Sequence, residues 1–183
     1  MTKTKENGFI ATLEPEKTKI LVLGSFPGEE SREKRKEMGL DHYYYANKSN
    51  KFWEIIFKCI GEEKIPENYT DKITKLSEKR ICLWDIIEKC ETEGAADSNI
   101  HNATPNDLSE YINKKVLIII NGKTILKKFS SKFESREEWN KLRNKLKEAE
   151  VKPLPSTSAA NTHQTFDEKC REWCGALSES LKK

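Results

Sequence analysis

Short apolar runs, separated by longer segments of helical periodicity, dominate the pattern of hydrophobic and polar positions. Four runs stand out: Lys19 to Gly24, Ile81 to Ile87, Val116 to Ile120 and Val151 to Pro155. Continuous apolar runs of this length, bounded by turn residues, are typical of strands buried on both faces. The prolines of the fourth run place it at a sheet edge or a strand end. The pattern therefore predicts four strands.

Seven further segments are predicted to be helical from their spacing of apolar residues and their capping residues. They span Glu29–Glu37, Asn50–Cys59, Asp71–Lys79, Asn106–Ile112, Lys123–Phe129, Ser135–Glu150 and Thr165–Leu181. Buried strands that alternate with helices predict an α/β fold, a three-layer α/β/α sandwich with a central four-stranded parallel sheet. The functional residues of such sheets lie in loops at the carboxyl ends of the strands. The charged run from Ser31 to Glu37 is interpreted as a solvated helix face, with phosphate binding as the alternative.

The composition fits a single globular domain over residues 1–183, with residues 1–17 as an N-terminal extension. Hydrophobic residues make up 36% of the chain and charged residues 34%, and the net charge is +3. That charge by itself gives DNA binding no support, although a local basic face needs only a few phosphate contacts. Because the pattern contains no signal peptide and no membrane span, we expect a cytoplasmic protein that does not bind membranes.

The five cysteines are an odd number and form no CxxC pair. Cys170 and Cys174 lie one helical turn apart, a spacing that two ligands of a metal ion or an iron–sulfur cluster can have. Buried thiols on an amphipathic helix are the favoured interpretation. We therefore expect reduced cysteines and no metal.

Two candidate functional loops lie in the first third of the chain. The first is GSFPG, Gly24 to Gly28, which follows the first strand and whose glycines allow a ligand to approach the backbone closely. A tight turn without function is at least as plausible for this loop. The second runs from Tyr43 to Trp53; since three adjacent tyrosines cannot all enter one core, at least one ring is displayed and can stack on a nucleobase.

Two more candidate loops follow the third and fourth strands. Asn121-Gly122 offers an amide donor and acceptor to a base edge, although a simple Asn-Gly turn is the favoured interpretation of the pair taken alone. LPSTSAAN, Leu154 to Asn161, carries hydroxyl and N–H groups of the kind that bind phosphates, or that form a capping turn. No loop is decisive alone, but each follows a strand.

Taken in order, these loops resemble the motifs of the uracil-DNA glycosylase superfamily, and most closely its hypoxanthine (deoxyinosine) DNA glycosylase branch. The chain contains GSFPGEES, YYANKSNKFW, LWD, DSNIHNATPND, NGK and LPSTSAAN, from about Lys19 to Asn161. The resemblance implies one α/β/α domain without cofactor or metal. It also implies a monomer whose partner is double- or single-stranded DNA containing a deaminated base.

The resemblance also implies roles for individual residues. Sister branches carry an acidic or amide residue in the first motif, where this chain has Ser25, so the catalytic role passes to Asn50. Asn121 resembles the second functional asparagine, at the base edge. Tyr45 matches the aromatic residue that stacks on the flipped base. The remaining residues fall into a base-binding group and a DNA-backbone group: Gly24, Ser25 and Phe26 in the first, and Pro27, Gly28, Ser156, Thr157 and Ser158 in the second.

The predicted activity is hydrolysis of the N-glycosidic bond of a flipped deaminated base, most consistent with hypoxanthine, by a monofunctional glycosylase in base-excision repair. The chain departs from the motif pattern at Leu154, Ala159 and Lys48, and the segment from Arg32 to His42 is longer than usual. Three alternatives remain open: a uracil or mixed-specificity glycosylase, a DNA-binding relative without catalysis, and a nucleoside hydrolase.

Overall fold

The computed structural model describes residues 4–92, 100–128, 133 and 136–182. The strands are β1 (Thr4–Asn7), β2 (Ile20–Gly24), β3 (Ile81–Asp85), β4 (Ile87–Thr92), β5 (Ile100–Pro105), β6 (Leu117–Asn121) and β7 (Val151–Leu154). The α-helices are α1 (Glu29–Met38), α2 (Phe52–Cys59), α3 (Tyr69–Glu78), α4 (Ser109–Asn113), α5 (Ile125–Lys128), α6 (Arg136–Lys147) and α7 (Phe166–Leu181). Phe129 and Ser135, at two predicted helix ends, lie outside the described residues.

A four-stranded parallel sheet in the order β3-β2-β6-β7 forms the centre of the fold, which confirms the predicted α/β class. The apolar runs are continuous because successive side chains of each strand enter two different cores. Leu21 and Leu23 pack with α4 and α6 on one face, whereas Ile20 and Val22 pack with α2, α3 and α7 on the other. β7 lies at the edge, as its proline predicts.

A second sheet, antiparallel and in the order β1-β4-β5, is absent from the sequence prediction. The run from Ile81 to Ile87 was predicted as one strand, and this is wrong. The chain leaves the parallel sheet after Asp85, and the Ile87 N–H donates to the Ser25 carbonyl at 3.1 Å. The expected N-terminal extension also packs onto the domain, since β1 pairs with β4 and Phe9 is 4% exposed.

The charged run in α1 is not a solvated face throughout. Ser31 and Arg32 are buried, at 6% and 7% exposure, while their neighbours Glu33 and Lys34 are exposed. The prediction fails here because the partners that accept a buried arginine come from other parts of the chain. Those partners are described below.

Cys59 of α2 and Cys174 of α7 form a disulfide, and they lie 115 positions apart along the chain. The expectation of five reduced thiols is therefore wrong for these two residues. The alternative of Cys170 and Cys174 as a ligand pair is also contradicted, because Cys174 bonds to Cys59 while Cys170 is a separate buried thiol. Cys82 and Cys90 are buried thiols outside the disulfide, and for these two the expectation of reduced cysteines is confirmed.

Reduction of this disulfide is expected to lower the free energy of unfolding by about 2–4 kcal/mol, because the bond closes a long loop in the unfolded chain. Chemical denaturation with and without reductant measures the effect, and Cys59→Ser should be insensitive to reductant. Thiol titration of the denatured, unreduced protein should find the three cysteines that lie outside the disulfide, Cys82, Cys90 and Cys170. A count of all five would contradict the disulfide.

None of the helices in the described part of the chain is both long enough and apolar enough to cross a membrane.

Candidate active site at the carboxyl edge of the parallel sheet

A cavity of about 490 Å³ opens where β2, β3 and β6 end. Its volume falls within the range of roughly 300–1,000 Å³ that is usual for ligand pockets. The lining comes from six parts of the chain: Gly24 to Gly28, Ser31 of α1, Tyr44 to Asn50, Asp85, Asn121 to Ile125, and Ser156 to Ala160. All four candidate loops of the sequence analysis therefore meet at one site.

The GSFPG loop forms one wall of this cavity, and all five of its residues contribute to the lining. Phe26 is 7% exposed and packs on the apolar core beneath the loop. A side chain at Gly24 would overlap the Oδ1 atom of Asp85, so this position requires glycine for a steric reason.

Tyr44 and Tyr45 both contribute to the lining. Tyr44 is 3% exposed and packs in the core, whereas Tyr43 and Tyr45 are only half-buried. The prediction that the three tyrosines cannot all be core residues is thereby confirmed. One face of the Tyr45 ring stacks on Phe52 at 3.8 Å between centroids. A base can therefore stack only on the opposite face.

The backbone of Tyr45 has a φ of 54°, in the left-handed region that a tyrosine rarely adopts. The Trp53 indole donates a hydrogen bond to the Tyr45 carbonyl at 3.1 Å and stabilises this conformation. Burial raises the pKa of the Tyr45 phenol, and the nearby Asp85 raises it further, against a lowering by the hydrogen bond from Asn121. The phenol is therefore protonated at neutral pH and can donate a hydrogen bond.

Asn50 lines the cavity from the segment that precedes α2. Its Oδ1 atom accepts a hydrogen bond from the Phe52 N–H at 3.0 Å, which fixes the side chain at the start of the helix. The next residue, Lys51, donates its N–H to the Thr157 carbonyl at 3.0 Å. The loop that carries Asn50 is thus attached to the loop after β7.

The side-chain amide of Asn121 forms hydrogen bonds within the protein and does not point freely into the cavity. Its Nδ2 atom donates to the Tyr45 hydroxyl at 3.1 Å and to Thr157 Oγ1 at 2.9 Å. Its Oδ1 atom accepts from the Thr157 N–H at 2.9 Å. These bonds use both amide hydrogens, and they connect the Tyr45 hydroxyl to the loop after β7.

Thr157 has 0% exposure, so its side chain cannot reach a DNA phosphate from this position. The predicted backbone contact of Thr157 is corrected to an internal connection with Asn121. Ser156 and Ser158 line the cavity and remain candidates for phosphate contacts. Asn161 supports them by donating from its amide to the Ser156 carbonyl at 3.1 Å, and the nearly buried Lys169 ammonium donates to the Asn161 carbonyl at 2.8 Å.

Asp85 is the site residue that the sequence analysis missed. Asp85 is the last residue of β3, is 4% exposed and lines the cavity. It lies next to Gly24, the residue of β2 with which it pairs in the sheet. The Asn106 amide donates to the Asp85 carbonyl oxygen at 2.9 Å and holds this strand end in place. The available signal was an acidic residue at the end of an apolar strand, in LWD, since carboxyl ends of parallel strands carry functional groups.

The residues that the structure describes contain no group of three or more His, Cys, Asp or Glu side chains that could hold a metal ion. Asp97, Ser98 and Asn99, which belong to one of the motifs of the resemblance, lie outside the described residues.

Comparisons with known proteins agree on a family. The model of the uracil DNA glycosylase superfamily matches residues 11–177. The hypoxanthine DNA glycosylase of Methanosarcina acetivorans is 35% identical over 159 residues, which cover 85% of this chain and 88% of the relative. The hypoxanthine DNA glycosylase of Methanosarcina barkeri is 33% identical over 122 residues, 65% of this chain and 72% of that one.

An NMR structure from Methanosarcina acetivorans, provisionally described as a uracil DNA glycosylase, superposes with a TM-score of 0.69 at 32% identity. The match covers 98% of this chain and 100% of that structure. The family model and the two named relatives thus place the chain in the DNA glycosylase class, hydrolases of N-glycosyl bonds. The chain belongs to the uracil DNA glycosylase superfamily.

Proposed function

We propose that this protein is a monofunctional DNA glycosylase that hydrolyses the N-glycosidic bond of a deaminated base, preferentially hypoxanthine, flipped out of DNA. The observation that carries the proposal is the cavity itself, which combines a stacking ring, Tyr45, with a buried carboxylate, Asp85, and a fixed amide, Asn50. Two relatives that carry the name hypoxanthine DNA glycosylase support the choice of base.

The chemistry of deamination explains why a carboxylate suits such a site. Deamination replaces the amino group of adenine or cytosine with an oxo group, and the neighbouring ring nitrogen gains a hydrogen. An ionised carboxylate only accepts hydrogen bonds, so Asp85 accepts from that new N–H and repels the bare ring nitrogen of the undamaged base. A cavity that presents an acceptor at this position therefore favours hypoxanthine over adenine and uracil over cytosine.

The hydrolytic step requires a placed water rather than a strong base. As the C1′–N bond lengthens, the base leaves with the bonding electron pair and later takes up a proton. A water oxygen then bonds to C1′ and releases its own proton. Asn50 holds this water, and an amide contributes by placement. The residues described as lining the cavity include no lysine for a covalent Schiff base, which favours a monofunctional enzyme.

The leaving base needs a hydrogen-bond donor that is already in place as negative charge develops on it. The backbone N–H of Phe26 is a candidate, because Phe26 lines the cavity and its N–H donates to no backbone carbonyl among the residues that the structure describes. Ser25 lines the same wall but is a poor base at neutral pH. We assign Gly24, Ser25 and Phe26 to the base pocket on these grounds.

DNA binding involves the rim of the cavity. Pro27 and Gly28 on one side, and Ser156 and Ser158 on the other, contribute hydroxyl and backbone groups of the kind that bind phosphates. We propose that the protein acts as a cytoplasmic monomer on DNA, without a cofactor.

Uracil is the second candidate substrate. It carries the same N–H and oxo pair as hypoxanthine, so Asp85 accepts from either base. A mixed-specificity enzyme follows if the cavity tolerates both a purine and a pyrimidine.

Base release from single-lesion oligonucleotides tests the proposal. Duplex and single strands that contain one hypoxanthine, uracil, xanthine or unmodified adenine are incubated with the protein, and abasic sites are cleaved by alkali. We expect fastest release of hypoxanthine and none of adenine. Binding of lesion DNA without release of any base would support a non-catalytic relative, and hydrolysis of free inosine alone would support a nucleoside hydrolase.

A further inference from the structure

Arg32 has an unusual environment for an arginine in a charged helix. The side chain is 7% exposed, although the helix around it is polar. Its Nη1 atom donates a hydrogen bond to the Pro27 carbonyl at 2.6 Å. Its guanidinium carbon lies 5.7 Å from the centroid of the Phe26 ring. Its Nε atom lies 3.8 Å from a carboxylate oxygen of Glu6, in β1.

These contacts attach the GSFPG loop to α1 on the side of the loop that faces away from the cavity. Phe26 and Pro27 line the cavity, whereas Arg32 does not. The guanidinium therefore touches the wall and not a base that occupies the cavity. The link to Glu6 also joins this wall to the small antiparallel sheet.

We propose that Arg32 is a positioning residue that fixes Phe26 and the Pro27 carbonyl, and so sets the size of base that the cavity accepts. The inference rests on the proposed base excision at this site. Burying an arginine has a desolvation cost, which the Glu6 carboxylate and the Pro27 carbonyl offset together. A solvated arginine would avoid this cost, so the burial indicates that the contacts matter to the wall.

The planar guanidinium is needed because it does three things at once. It lies over the Phe26 ring, donates to the Pro27 carbonyl, and presents a further N–H to the Glu6 carboxylate. A lysine ammonium retains the charge but has no rigid planar group that lies over Phe26 while donating in two fixed directions. Lysine should therefore only partly replace Arg32.

The test measures the ratio of excision rates for hypoxanthine and uracil in otherwise identical duplexes. This ratio is independent of the fraction of folded enzyme, because partial unfolding lowers both rates equally. Misplacing Phe26 changes the two rates unequally, since a purine fills more of the cavity than a pyrimidine. We expect Arg32→Met to change the ratio about tenfold and Arg32→Lys to change it less, in line with the cost of small displacements in an active site.

Two further variants make the result specific. Arg35→Met is the matched control, because Arg35 lies on the same helix and over a ring, Phe9, that does not line the cavity. It should leave the ratio unchanged. In a Phe26→Ala background, Arg32→Met should change the ratio less than it does with Phe26 present, since the part of its effect that acts through the ring is then missing.

The inference is overturned if Arg32→Met leaves the ratio at the wild-type value. It is also overturned if its effect is as large with Phe26→Ala as without it, or if Arg35→Met has the same effect. Should the wild-type protein release no base from any duplex, the proposed function itself fails. That outcome is distinct from an active wild type with an unchanged ratio.

Discussion

Asn50→Ala is expected to lower kcat for hypoxanthine excision by about 100-fold or more, with little change in KM. In the proposed mechanism the amide places the attacking water, and a displacement of about 1 Å at a reacting centre costs roughly this factor. KM should change little because the ring and the loops proposed to bind the base and the phosphates are intact. Single-turnover excision at saturating enzyme measures the chemical step directly.

Asn50 also accepts a hydrogen bond from Phe52 at the start of α2, so alanine removes a local stabilising contact as well. Asn50→Ser separates the two effects, because a serine hydroxyl can accept the same bond. We expect serine to retain thermal stability and still lose most of kcat. Excision by Asn50→Ala within threefold of wild type would exclude Asn50 from the chemical step.

Asp85→Asn is expected to reduce the preference for hypoxanthine over adenine by about 10- to 100-fold in kcat/KM. A hydrogen bond to a charged group contributes about 1.5–3 kcal/mol, which corresponds to this range. The asparagine amide can turn and donate to the bare ring nitrogen of adenine, so the rejection of the normal base weakens. The absolute rate is a poorer measure, because a carboxylate also opposes negative charge on the leaving base.

The change is nearly isosteric, which matters because Gly24 lies directly against the Asp85 carboxylate. Asp167→Asn, at an aspartate that is 81% exposed in α7, provides the control for loss of one negative charge. The hypoxanthine-to-adenine ratio should be unchanged in that control. An unaltered ratio in Asp85→Asn, together with wild-type folding, would rule out Asp85 as the group that reads the base.

For Asn121, the position could be predicted from the sequence but the hydrogen-bond partners could not. Asn121 was correctly expected at the end of a strand beside the cavity, because an apolar run followed by Asn-Gly marks that position. Its hydrogen bonds to Tyr45 and Thr157 join residues 76 and 36 positions away. No local sequence pattern specifies hydrogen bonds between residues so far apart. Asn121 was predicted to contact the edge of a base, whereas in the structure its amide bonds to two other loops of the site.

The sequence by itself determined the four parallel strands, most of the helices and the order of the loops at their carboxyl ends. Local periodicity carries this information, because the spacing of apolar residues specifies which faces of an element can be buried. Only the tertiary structure decided that Asp85 lines the cavity, that Thr157 is buried and that Cys59 bonds to Cys174. The burial of Arg32 against the Phe26 ring also became evident only from the tertiary structure. Each of these depends on strand order and on contacts between distant segments, which form only when the sheet and its helices assemble.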